Sequence, residues 1–244
     1  MNAWSLSGVS YKSTEVRSSI QPVKSLAKNG DAEAQYLLGR QYRDGDGVSK
    51  NLDKAIQLLS ESAEQGFAPA QIDLGQMYSN GIGIEQNHTI AANWFKKAAE
   101  QDYPTAQFNL ANMYRNGTGV DKNLELAYSF YKQAALNGFK KAQFNLALMN
   151  YYGMGVKKNL SQVVYWYEKA AKQGFHRAQY HLAVMYSEGE GVKRNLEQAY
   201  VLMSKASKGG IKEAFDALDE LKAQISAEKE QTPAIAGSEF ASQQ

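Results

Sequence analysis

The residues that could do chemistry are few, and their spacing suits little of it. The 244-residue chain holds three histidines, His88, His176 and His181, and no cysteine. His176 and His181 are five apart at the start of a predicted helix, which sets them on different faces. A two-histidine zinc helix needs them four apart. Without thiols there is no thiolate nucleophile, no thiolate metal site and no disulfide, and a reducing compartment fits. "DGDG" from Asp44 opens like a calcium loop but lacks the later ligands and the closing glutamate. No serine or threonine stands in a nucleophile elbow. Asp219 and Glu220 fall on a predicted solvated helix face. These residues predict no enzyme, no metal and no cofactor.

The glycine pairs are the next candidates. "DGDGV", "NGIGI", "NGTGV", "YGMGV" and "EGEGV" recur along the chain. A phosphate loop needs a preceding strand and the spacing G-x-G-x-x-G or G-x-x-x-x-G-K, which none of them has. Each pair instead falls where a helix must stop. Gly45, Gly81, Gly117, Gly153 and Gly189 suit the left-handed residue past a helix end, where a Cβ is strained. The second glycine and the Val or Ile after it are expected to tuck the turn against the core. Asn51, Asn87, Asn123, Asn159 and Asn195 precede the next helix, where a side-chain oxygen can cap its open N–H groups.

The elements that carry these residues repeat every 36 positions without insertion, from Ala32, Ala68, Pro104, Lys140 and His176. The third place is always alanine (Ala34, Ala70, Ala106, Ala142, Ala178), and glutamine follows it every time. Leu38, Leu74, Leu110, Leu146 and Leu182 come next, then the small residues Gly39, Gly75, Ala111, Ala147 and Ala183. Tyr42, Tyr78, Tyr114 and Tyr186 share a place that Asn150 fills in the fourth copy. Spacings of three and four describe one helix face. A second helix carries Ala55, Ala91, Ala127, Val163 and Ala199, with Leu58, Trp94, Phe130, Trp166 and Leu202 one turn later. Each copy is thus a helical hairpin that needs its neighbours to close a core.

The expected organisation follows. Residues 1–15 form a flexible tail, 16–31 a capping half-repeat and 32–211 five repeats. Residues 212–230 form a capping helix and 231–244 a second flexible tail. No apolar run approaches the ~18 residues of a membrane span, and the polar start does not read as a secretory signal. A monomer acting in the cytoplasm is expected.

The pattern A-x-A-Q-x-x-L-G-x-M-Y-x-x-G-x-G-V, followed by N…A…W-Y/F…A-A-x-x-G, resembles the Sel1-like repeat, a relative of the tetratricopeptide repeat. "AQIDLGQMYSNGIGI" with "WFKKAAEQ" shows it, as does "AQFNLALMNYYGMGV" with "WYEKAAKQG". Asp102 departs from the pattern at a terminal glycine, and Asn150 at the tyrosine. The resemblance implies an all-α, right-handed α-α superhelix of five hairpins with half-repeat caps, a solenoid that scaffolds protein–protein contacts. It implies a concave face lined by the first helices, which would hold a partner protein or peptide. The candidates there are Tyr36, Ile72, Phe108, Phe144 and Tyr180 at the fifth place, and Asn109 and Asn145 at the sixth. Tyr151 and Tyr152 form an aromatic pair beside them. The alternative reading of these rings is packing on the adjacent repeat. A cysteine-rich branch of the family is associated with β-lactam hydrolysis; without cysteine, nothing carries over from it. A bacterial protein delivered outside the cell is a further alternative for the same repeats.

Charge is unevenly spread. Lys and Arg against Asp and Glu give −2 for each of the first two copies, then +1, +5 and +2, and −4 from Lys212 onward. Lys157, Lys158, Lys193 and Arg194 precede second helices, whose N-termini repel cations. Helix stability therefore does not account for them at this level. They are expected to form a basic edge, suited to solubility or to an acidic partner. Nucleic acid is not expected, because the chain is only weakly basic and carries no recognisable motif.

Overall fold

The computed structural model describes residues 20–238. The expected tail 1–15 lies outside the described residues, as do residues 16–19 and 239–244. Thirteen helices and no strand occur among the described residues. The first helices of the five copies are α2 (Ala32–Asp44), α4 (Ala68–Asn80), α6 (Pro104–Asn116), α8 (Lys140–Tyr152) and α10 (His176–Glu188). The second helices are α3 (Leu52–Glu64), α5 (His88–Ala99), α7 (Leu124–Leu136), α9 (Leu160–Lys172) and α11 (Leu196–Lys208). They are flanked by α1 (Ile20–Lys28), α12 (Lys212–Asp216) and α13 (Leu218–Ser238).

Every second helix starts as its asparagine dictates. The Oδ1 of Asn51, Asn87, Asn123, Asn159 and Asn195 accepts a backbone N–H three residues on, at 2.9–3.1 Å. Each such cap stabilises by about 1 kcal/mol. Every first helix ends at its glycine with φ between 67° and 75°. The glycine N–H closes the last turn on the carbonyl four residues back, as Gly117 does on Met113 at 2.8 Å.

The second glycine has a stricter reason than tucking the turn. A Cβ on Gly119 would lie 2.3 Å from the backbone of His88, and one on Gly155 would lie 2.3 Å from the Leu124 carbonyl oxygen. In both cases the loop rests on the first residue of the second helix one copy earlier. No side chain fits between them.

The chain divides between Lys122 and Asn123 into two units. In the first, α2 to α5 pack in sequence, each on the next, with α1 against α2 and α6 against α5. Leu59, Ala63, Ala70, Leu74 and Met77 are the buried centre of this stack. In the second unit α7 to α11 pack in the same order, and α12 and α13 close on α11. Leu146, Met149, Val163, Tyr167 and Leu182 are buried there.

The fourth-place glutamines hold both stacks from inside. The Nε2 of Gln71, Gln143 and Gln179 donates to the carbonyl eight residues back, at 3.0–3.1 Å. That carbonyl lies in the last turn of the previous second helix and already accepts the N–H of the glycine three residues on, so the glutamine fills its second acceptor position. Their Oε1 atoms are satisfied in turn. Gln101 donates to Gln71 and Gln173 donates to Gln143, while Gln179 shares a hydrogen bond with the His176 ring.

The C-terminal end departs from expectation. The capping helix expected over 212–230 is two helices with a turn at Ala217. The helical course then runs to Ser238, into the stretch expected to be a flexible tail from 231. No helix among the described residues is long and apolar enough to cross a membrane.

Candidate interaction surface

In the first unit the candidate face is polar and already paired. Tyr36 is half-buried and packs on Phe67 with centroids 5.3 Å apart. Arg40 donates to its hydroxyl at 3.2 Å. Arg43 donates to Asp73 at 2.8 Å and to Asp44 at 2.8 Å. The Arg43 guanidinium holds the Asp44 carboxyl below its usual range. Ile72 is 8% exposed and belongs to the packing, whereas Phe108 and Asn109 are half-buried.

The second unit presents a different surface. Phe144 is 8% exposed. It packs against Phe175, His181 and Tyr167 at centroid distances of 5.2, 5.6 and 5.6 Å. His181 lies flat on Tyr167, at 5.5 Å and 12°, and meets Tyr180 edge-on at 5.3 Å. Burial, then the nearby Arg177 charge, pushes the His181 imidazole below its ordinary range. Burial likewise pushes the Tyr167 phenol far up. Asn145 and Tyr180 are half-buried. Of the two readings of the fifth-place rings, groove ladder or packing against neighbouring elements, Phe144 takes the second and forms the floor on which the more exposed groups rest.

Tyr151 and Tyr152 end α8, and they are the most accessible part of this face. Their rings stand at 84° with centroids 5.0 Å apart, and Tyr152 is 66% exposed. The Tyr151 hydroxyl donates to Glu190 at 3.2 Å. The charge of Glu190, and its acceptance of this hydrogen bond, raise the Tyr151 phenol, with Glu188 adding to the effect. Neither glutamate was legible as part of a site, because they lie in the glycine turn of the next copy.

The basic edge is half neutralised. Lys158 Nζ lies 3.9 Å from Glu190 and 4.7 Å over the Tyr151 ring. Arg194 pairs with Glu228 of α13 and donates to the Ser187 carbonyl at 2.9 Å. The unfavourable placement expected for Arg194 is thereby corrected. It precedes the N-terminus of α11 in sequence, but in space its guanidinium serves the last turn of α10, where positive charge is favourable. Lys157 and Lys193 are exposed and make no ion pair among the described residues. No group of three or more His, Asp or Glu among the described residues could hold a metal ion.

A family model described as the Sel1 repeat matches residues 32–67, 68–103, 104–139, 140–175 and 176–211. No curated protein sequence matches the chain. Among solved structures, a Sel1 repeat protein from Oxalobacter formigenes is similar at 33% identity and a TM-score of 0.75, over 84% of this chain and 82% of that one. A protective antigen present in uropathogenic Escherichia coli strains, displaying an SLR fold, is similar at 30% identity and a TM-score of 0.65. That match covers 86% of this chain and 52% of the antigen, so the chain spans about half of its length.

Proposed function

The chain belongs to the Sel1 repeat family, whose members are generally protein-interaction scaffolds, and from that premise we propose that it is a non-enzymatic adaptor. It binds a protein or peptide segment on the face of its first helices. The face is polar in the first unit, around Tyr36, Phe108 and Asn109, and aromatic in the second, around Asn145, Tyr151, Tyr152 and Tyr180. The observation that carries this reading is the Tyr151–Tyr152 pair. A tyrosine 66% exposed leaves most of a large ring uncovered at the end of an otherwise packed helix. Exposed aromatic rings with a polar tip are frequent anchors of protein interfaces. Phe144 serves the face from below through its ring contacts with Tyr167 and His181, and Ile72 is part of the packing.

A photo-reactive phenylalanine analogue placed at Tyr152 tests the reading. Tyr165, 43% exposed on the second helix α9, is the control position. Irradiation in an extract of the source cells is expected to give discrete adducts from position 152 and none from 165. Adducts from 165 alone would move the binding surface to the second helices.

A further inference from the structure

We propose that the corner where α8 and α10 end is a site for a cationic side chain, arginine foremost, of the segment that this face binds. The inference rests on the adaptor reading and adds to it the chemistry of the anchor.

Three independent features of the corner favour positive charge. The first is aromatic. Two ring faces stand nearly perpendicular, 5.0 Å apart at 84°, and a π face attracts a cation within about 6 Å of its centroid. The second is carboxylate charge. Glu190 is bound to the Tyr151 hydroxyl at 3.2 Å, and the field of Glu188 also reaches that hydroxyl. The third is the backbone. α8 ends at Tyr152 and α10 at Glu188, so the corner gathers the negative ends of two helix dipoles.

The protein itself supplies a cation here. The Lys158 ammonium sits 4.7 Å over the Tyr151 ring and 3.9 Å from Glu190. It is a loose occupant. Its side chain is 53% exposed and its contact with Glu190 is long. The Tyr152 ring, 66% exposed, is open to a second cation. An incoming guanidinium is planar and can stack on a ring while its N–H fork reaches a carboxylate, whereas the Lys158 ammonium meets the ring and the carboxylate only as a point charge. Lys158 thus holds the corner in the unbound protein and is displaced when a partner's arginine arrives.

The test uses the full chain and three synthetic peptides, Ac-Leu-Xaa-Leu-NH2 with arginine, citrulline or glutamate at the centre. Binding is followed by NMR through the ring resonances of Tyr151 and Tyr152. Citrulline keeps the shape of arginine and removes its charge. The arginine peptide is expected to bind at least about fivefold more tightly than the citrulline peptide. The double variant Glu188→Gln/Glu190→Gln should erase that difference, and Lys158→Met, which empties the corner, should tighten the arginine peptide about threefold. Equal binding of arginine and citrulline overturns the cation site while leaving the adaptor reading intact. Ring resonances that ignore all three peptides overturn it as well. The fate of the adaptor reading then rests on the photo-crosslinks at position 152, which do not depend on the anchor's charge.

Discussion

Gly155 and Gly153 stand two residues apart with nearly equal φ, 67° and 69°, yet they do different work. Around Gly153 a Cβ would find ordinary contacts, the nearest at 3.5 Å; on Gly155 it would strike the Leu124 carbonyl at 2.3 Å. Gly153→Ala is therefore expected to cost about 1 kcal/mol, the strain of a left-handed alanine. Gly155→Ala should cost about 3 kcal/mol or more, because backbone must move. Urea midpoints of the two variants measure the gap, and equal midpoints would show that the loop can retreat. The glycine pairs were plain in the sequence as helix ends. Their ranking was not, because the contact that decides it lies one copy back on another helix. Asp102 makes the converse point. Among the described residues it is the one non-glycine with positive φ, at 60°, where the other copies place glycine. Its side chain recovers part of the cost by accepting from Gln107 at 3.3 Å. Asp102→Gly should raise stability by about 0.5–1 kcal/mol, read as a higher Tm in a thermal melt; a lower Tm would mean that the hydrogen bond to Gln107 outweighs the strain.

At the scale of elements, the helices were legible from apolar spacing and caps, since both are local. What faces a helix end in space was not. The cations before α9 and α11 look misplaced beside an N-terminus, and only the returned loop brings Arg194 to the carbonyl of Ser187. The packing of α8, α9 and α10 around His181 was equally hidden, for a sixth-place histidine reads as a polar groove residue. Stacked on Tyr167 and touched by Phe144 and Tyr180, it is held neutral by burial and by Arg177. Stability should depend on pH as a result. The unfolded chain binds a proton at this imidazole near its usual 6.5, whereas the folded protein does so only at lower pH. Between those two values the unfolded state holds more protons, so stability falls as pH drops below about 6.5. Its contribution is fully present above that point. His181→Phe keeps a flat ring against Tyr167 and removes the titration. The difference in Tm between the native chain and the variant should widen in the variant's favour from pH 7 to pH 5. A constant difference across that range would place the imidazole in contact with solvent in the folded protein.

For the whole molecule, the strict 36-residue period made the fold readable, since one hairpin's solution is repeated five times. The binding surface was harder, because it lives in the places where the copies differ. The ninth place reads Arg40, Gln76 and Asn112 in the first unit but Leu148 and Val184 in the second. Net charge differs as well, with the surplus of Lys and Arg concentrated in the last two copies. Arg194 is tied to Glu228 and Lys158 rests loosely against Glu190, so Lys157 and Lys193 are the cations of this edge that make no ion pair among the described residues. If the partner is acidic, reversing both to Glu weakens binding, and added salt weakens the native complex. If the anchor is cationic, the same two lysines repel it. Lys157→Glu/Lys193→Glu should then tighten the arginine peptide about two- to threefold at low salt. The gain should fade as the Debye length shrinks to about 8 Å at physiological ionic strength. Folding is a poor confounder, because exposed glutamates before α9 and α11 suit the positive ends of those helices, and the Tm should hold. The signs of the two outcomes are opposite. Weaker arginine binding in the charge-reversed variant would return the edge to an acidic partner; tighter binding assigns Lys157 and Lys193 to screening a site built for positive charge.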